Sequence, residues 1–217
     1  MFLYFNGCSY TYGKWCPDRE NKIYSTLVSN HFGADHYNDS VCASSNDEIV
    51  ERTLRWLKDN TCDHAIIMMT HDGRMKLNVR FMPHRTGTQR QIELNDMFYR
   101  NFYNDELGAT NFYRNRYILE QAFEKRNIPL LLMQYVPLPY QGTNIWKEMC
   151  KGDLPLVAKT MFRMNELSPK IKTILGRASN KEYYWNEESK QNSHPNPKGH
   201  RKICLLYTSP SPRDNRT

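Results

Sequence analysis

The 217-residue sequence contains no apolar run approaching the ~20 residues needed to cross a bilayer. It also lacks a basic opening segment. Met1-Phe2-Leu3-Tyr4-Phe5-Asn6 carries only a short apolar stretch, so no export signal is predicted and the segment reads as a first buried strand. Cysteine is sparse and irregularly spaced (Cys8, Cys16, Cys42, Cys62, Cys150, Cys204), with no C-x-x-C pair, which predicts reduced thiols rather than a disulfide framework. His31, His36, Cys42 and Cys62 lack metal-ligand spacing, and no metal site or cofactor is predicted. Nor is there a dense Lys/Arg block. The net charge is +7, but the basic residues are scattered, as Arg52, Arg55, Arg74, Lys76 and Arg80 illustrate. Charge of one sign does not choose a partner, so nucleic-acid binding stays a minority reading. No internal repeat is present, and no low-complexity segment outside the last residues.

What is present is a globular composition: 39% hydrophobic and 24% charged residues, which excludes collagen, coiled coil and wholesale disorder. The length fits one domain, placed at 1–203, with insertions near 76–104 and 137–176. Phe2 to Asn6 predicts a buried strand ending at Gly7. Asn21 to Phe32 has helical spacing, and His36 to Val41 is a weak strand. Ser45 or Asn46 is a good N-cap for a helix running to about Lys58. His64 to Thr70 is a continuous apolar strand of the parallel-sheet kind. Residues Lys76 to Asn95 read as irregular and polar. A long helix is expected from about Asp105 to Asn127, a second strong strand from Pro129 to Val136, a last strand at Glu182 to Trp185, and a helix starting at Pro197. Strands alternating with helices predict an α/β parallel sheet. The segment Cys204 to Asp214 matches one reading frame of a sequencing adapter. It lacks helical or strand periodicity, so 204–217 is expected to be a non-native tail.

In a parallel α/β sheet, sites form at the carboxyl ends of the strands. Three segments fall there. Gly7-Cys8-Ser9-Tyr10-Thr11-Tyr12-Gly13 follows the first strand, Ala43-Ser44-Ser45-Asn46 follows the second, and His194-Pro195-Asn196-Pro197-Lys198-Gly199-His200 follows the last. Taken singly they read as a strand-end turn, a helix cap and a surface loop. Tyr10, Tyr12 and Trp15 could stack on a sugar ring or simply pack the core. The pairs Phe98-Tyr99, Phe102-Tyr103 and Phe112-Tyr113, interleaved with Arg100, Arg114 and Arg116, could stack on single-stranded nucleic acid, but a helix packing its aromatic face on the sheet explains them more simply.

Together and in this order, the three segments resemble the SGNH (GDSL-like) hydrolase superfamily, in the Gly-Cys-Ser-Tyr-Thr-x-Gly form often seen in phage-borne members. The resemblance implies a three-layer α/β/α, flavodoxin-like fold with about five parallel strands. It also implies an ester hydrolase with Ser9 as nucleophile and His194 as base, acting on a small ester or on O-acyl groups of a carbohydrate without a cofactor. The oxyanion hole would use the N–H groups of Ser9 and Ala43, with Thr70 standing where the family has an asparagine. Ala43 occupies the family's glycine position, and its methyl group disfavours positive φ. The family's acid before the histidine is replaced by Gln191 or Asn192, so Asn192, a backbone carbonyl, or Glu187 or Glu188 could orient the ring. Tyr10, Tyr12, Asn46 and Arg74 are the expected substrate contacts. The predicted location is cytoplasmic, or the host cytoplasm or virion for a phage-encoded member. The alternatives are a degenerate relative that binds a glycan or protein partner, and a nucleic-acid-associated basic protein; the oligomeric state is open.

Overall fold

A computed structural model describes residues 1–76, 80–81, 88–134 and 194–208. Its core is a four-stranded parallel sheet of β1 (Phe2–Asn6), β2 (Asp35–Asn38), β3 (His64–Met69) and β6 (Leu130–Gln134), in the order β2-β1-β3-β6. A two-stranded antiparallel ribbon of β4 (Met75–Lys76) and β5 (Arg80–Phe81) stands apart from it. In register, Phe5 lies between Asn38 and Ile66, and Met69 pairs with Gln134, so the four strands end along one edge.

Alternation along the strands sorts the core into two layers. Tyr4, Ala65, Ile67, Met69 and Leu132 face α4 (Asn46–Asp59) and α6 (Asp105–Glu124), packing on Ile49, Leu57, Phe112, Leu119 and Phe123. Leu3, Phe5, Ile66, Met68 and Met133 face the other way, onto Tyr24 and Val28 of α3 (Tyr24–Phe32) and Ile203 and Cys204 of α7 (Pro197–Thr208). The result is the expected three-layer α/β/α arrangement. The fifth expected strand, Glu182 to Trp185, and the insertion at 137–176 lie outside the described residues.

Several elements differ from the sequence reading for identifiable reasons. The helix expected over Asn21 to Phe32 is two: α2 (Arg19–Lys22) and α3, broken at Ile23, which is extended at φ −79°, ψ 153°. Ile23 is drawn inward beneath Gly13, where a Cβ would lie 2.1 Å from its Cγ2. The region read as irregular up to Asn95 already contains α5 (Gln89–Asn101), capped by Thr88, whose side chain accepts from Gln91 N–H. Its first turns are polar and offer little periodicity, and its apolar anchor, Phe98 against Met75, comes late. The helix after Pro197 continues to Thr208, and Cys204 is buried beside Ile203, which corrects the expectation of no regular structure for 204–208; residues 209–217 lie outside the described residues. Cys8, Cys16, Cys42, Cys62 and Cys204 are reduced thiols. Among the described residues no helix is long and apolar enough to cross a membrane.

Candidate functional site

The crevice at the carboxyl edge of the sheet begins with Asn6, the last residue of β1. Its fully buried amide donates to Ile49 O (3.1 Å) and Thr53 Oγ1 (2.8 Å), while its Oδ1 accepts from Gly7 N–H at 2.7 Å. This fixes the turn out of the strand. Gly7 is required there, because an added Cβ would lie 2.2 Å from Thr11 Oγ1. The chain then enters a single helical turn, α1 (Ser9–Tyr12), which Asn38 holds from β2 by donating to Thr11 O at 3.0 Å. Ser9 opens that turn, so its N–H has no intrahelical acceptor.

His194 comes from the far end of the chain, just before α7. Its Nε2 lies 2.7 Å from Ser9 Oγ, across 185 residues of sequence. Tyr10 and Trp15 flank the imidazole, at centroid distances of 5.4 Å (tilted) and 4.7 Å (edge-on). Desolvation within this pocket pulls the His194 pKa down to about 4, and the positive charges of Lys14 and Arg74 add to the shift. The ring is therefore neutral at pH 7. Behind it, fully buried His200 stacks on Tyr24 and accepts from Tyr24 N–H at Nδ1 (3.3 Å); burial lowers its pKa to about 3.

Arg52, on α4, ties the loops together. Its guanidinium donates to Asn6 Oδ1 (3.3 Å), Gly7 O (3.4 Å), Ser44 Oγ (2.9 Å) and Asp39 O (3.0 Å). Val41 N–H also reaches Gly7 O at 3.4 Å, bringing the Ala43 turn beside the Ser9 turn. Ser45 caps α4 in a reciprocal capping box with Glu48. Asn46, one residue on, donates to Thr70 O (3.3 Å) and accepts from Thr70 N–H (2.8 Å). The Thr70 hydroxyl accepts from Arg74 Nη1 at 3.0 Å.

No family model matches the sequence, and no curated protein matches it. Solved structures do resemble the chain in shape. One is a protein described as lipolytic and of the G-D-S-L family from Desulfitobacterium hafniense (TM-score 0.55, 14% identity, 95% of this chain and 97% of that one). Another is a psychrotrophic esterase from Pseudoalteromonas sp. (0.55, 13%, 96% and 95%). A third is a catalytic mutant of an acetylxylan esterase from Geobacillus stearothermophilus (0.51, 14%, 97% and 94%). The chain has the SGNH-hydrolase fold.

Within that fold the expected residues divide. Ser9, His194, the Ala43 turn, Thr70 and Arg74 lie along one edge of the sheet. Asn46, expected on the substrate, is fully buried and spends its amide on the Thr70 backbone, so it positions one loop against another. Tyr10 is a core residue packed with Phe5 and Tyr24, and Tyr12 lies under the Arg19 guanidinium at 4.1 Å. Of the three nearby aromatics, Trp15 is the partly exposed one that meets His194. Asn192 lies outside the described residues. The aromatic pairs expected as a helix face behave so in part: Phe112, Tyr113 and Phe98 are buried, while Phe102 is exposed. Arg52 was invisible to motif reading, because nothing local distinguishes it from other helix-surface arginines.

Ala43 adopts φ +64°, the left-handed region. For a non-glycine residue this costs about 1–2 kcal/mol. Ala43→Gly removes that strain but adds about 0.5–1 kcal/mol of unfolded-state freedom. Chemical denaturation should therefore show Ala43→Gly close to the parent, and Ala43→Val weaker by about 2 kcal/mol, since a β-branched residue is an outlier there. The reverse order would exclude a left-handed Ala43.

Proposed function

We propose that this protein is a serine-dependent ester hydrolase in which Ser9 attacks the carbonyl carbon and His194 takes its proton. The observation that carries this reading is the 2.7 Å approach of Ser9 Oγ to His194 Nε2. A serine hydroxyl is a weak nucleophile until a base removes its proton, and a neutral imidazole at hydrogen-bond distance is such a base. The proton passes through His194 to the departing alkoxide. Water, deprotonated by the same imidazole, then cleaves the acyl-enzyme. Negative charge developing on the carbonyl oxygen would be met by the N–H groups of Ser9 and Ala43, with the Thr70 hydroxyl as a third donor; one such donor is worth ~10²–10³ in rate. Asn192 is proposed to orient His194 through its carbonyl oxygen. This chemistry calls for neither metal nor cofactor.

The substrate class we favour is a small ester or an acylated glycan. The esterases of similar shape support hydrolysis of an ester, and the acetylxylan esterase among them supports the glycan. Incubation with a fluorophosphonate should add one phosphonyl group, and peptide mass spectrometry should locate it on Ser9, with loss of p-nitrophenyl acetate turnover in proportion. Labelling elsewhere with turnover unaffected would reject Ser9. A folded protein that neither labels nor turns over would favour the glycan- or partner-binding alternative.

A further inference from the structure

Two cations beside the candidate site have no role in the chemistry described above. Lys14 leaves the Ser9 turn and places its Nζ 4.3 Å from the centroid of the Trp15 ring, the same ring that meets His194 edge-on. Arg74 arrives from the loop after β3. One of its terminal nitrogens donates to Thr70 Oγ1, but its Nε is buried with no hydrogen-bond partner. Among the described residues neither cation pairs with a carboxylate. Asp72, the acid nearest Arg74 in sequence, is turned to His71 (3.0 Å) and Tyr103 (3.3 Å). Asp18, the acid nearest Lys14 in sequence, pairs with Lys22.

This arrangement is costly for a base. Transfer of the Ser9 proton makes His194 an imidazolium, and positive charges nearby oppose that step. A site beside which two cations stand with no carboxylate partner among the described residues works better when negative charge arrives with the ligand. The Arg74 guanidinium is half-buried and carries terminal N–H donors beyond the one given to Thr70, and charge-assisted pairing with an oxyanion is their strongest satisfaction. Resting on the ester-hydrolase reading, we propose that the substrate is an anionic ester, carrying a carboxylate, phosphate or sulfate within reach of Lys14 and Arg74. The anionic group forms and breaks no bond. The ester C–O bond is exchanged for the Ser9 acyl bond and then for a bond to water, while the anion orients the ester and offsets the charge of the imidazolium.

Two size-matched pairs of esters test this and place the charge. Mono-p-nitrophenyl succinate against its methyl ester puts the charge on the acyl side; 4-acetoxybenzoate against its methyl ester puts it on the alcohol side. After subtraction of the uncatalysed rates, kcat/KM for the charged member of at least one pair should exceed its neutral partner tenfold or more at low ionic strength. That advantage should shrink in 0.5 M NaCl, as expected of charge–charge attraction. Lys14→Gln and Arg74→Gln should each lower the charged-to-neutral ratio, and Lys14→Arg should keep it. Equal or better use of the neutral ester in both pairs would overturn the inference and leave the hydrolase reading standing. Independently of turnover, the Ser9→Ala protein should bind the charged member of at least one pair at least fivefold more tightly than its neutral partner, followed by tryptophan fluorescence. Equal binding overturns the proposal even if no ester is hydrolysed.

Discussion

Ser9→Ala is expected to lower p-nitrophenyl acetate turnover by roughly 10⁴-fold, to little above the rate that binding and the oxyanion donors sustain. The side chain is small and buried, so losing its hydroxyl leaves the fold of the turn intact. The proton it shares with His194 at 2.7 Å is what disappears. His194→Ala should lose a similar factor, and the double variant should be no worse than either single one, because the two groups act as a unit. Circular dichroism at matched temperature separates this from unfolding. A Ser9→Ala protein that keeps a tenth or more of the parental rate would transfer the nucleophile to some other residue.

The parts of the molecule that were legible in advance are those where local chemistry and tertiary packing agree. The apolar run His-Ala-Ile-Ile-Met-Met became β3 because a strand buried on both faces must be apolar throughout. Ser45, one of the two N-cap candidates, caps α4 because its side chain can accept a backbone N–H that the helix leaves without a partner, and the structure adds Glu48 as its reciprocal partner. The approach of Ser9 to His194 was readable only through resemblance, since no periodicity links residues 185 positions apart. What escaped reading is mostly set by contacts between distant segments. Ile23 breaks a helix because it is needed under Gly13. Gln89 to Asn101 is helical although its first turns look like loop, because Thr88 caps it and Phe98 anchors it on Met75. Asn46 looks like a site residue in a motif and is a clamp in the fold, holding the α4 entry to the end of β3. Arg52 joins four acceptors from three segments, a role that depends on where Asn6, Asp39 and Ser44 come together in space.

Acidification is expected to weaken this protein from about pH 6.5 downward, a range in which most carboxylates remain ionised. The cause is histidine held neutral by burial. His200 has a folded pKa of about 3 and His194 of about 4, both below the unfolded value near 6.5. Above 6.5 both states are neutral and nothing is lost. Below it the unfolded chain takes up protons that the native state refuses, so stability falls until pH reaches the folded values. Each group contributes about 1.4 kcal/mol per pH unit in that window, and at pH 4.5 His200 alone accounts for about 3 kcal/mol. For a chain of this length that is about 6–12 °C in Tm. His200→Gln tests the assignment, because Gln can still accept from Tyr24 N–H, as Nδ1 does at 3.3 Å, but does not titrate. Melting curves at pH 7.5 and 4.5 should show the variant losing less Tm than the parent by about that amount, and parallel losses would clear His200 of the effect. Activity reads the other histidine. Since the base must be unprotonated, kcat/KM should stay level from pH 7 to about 5 and fall only near 4, in His200→Gln as in the parent. A limb near 6.5 would mean that the His194 ring is better solvated, or better paired, than its contacts with Trp15 and Tyr10 imply.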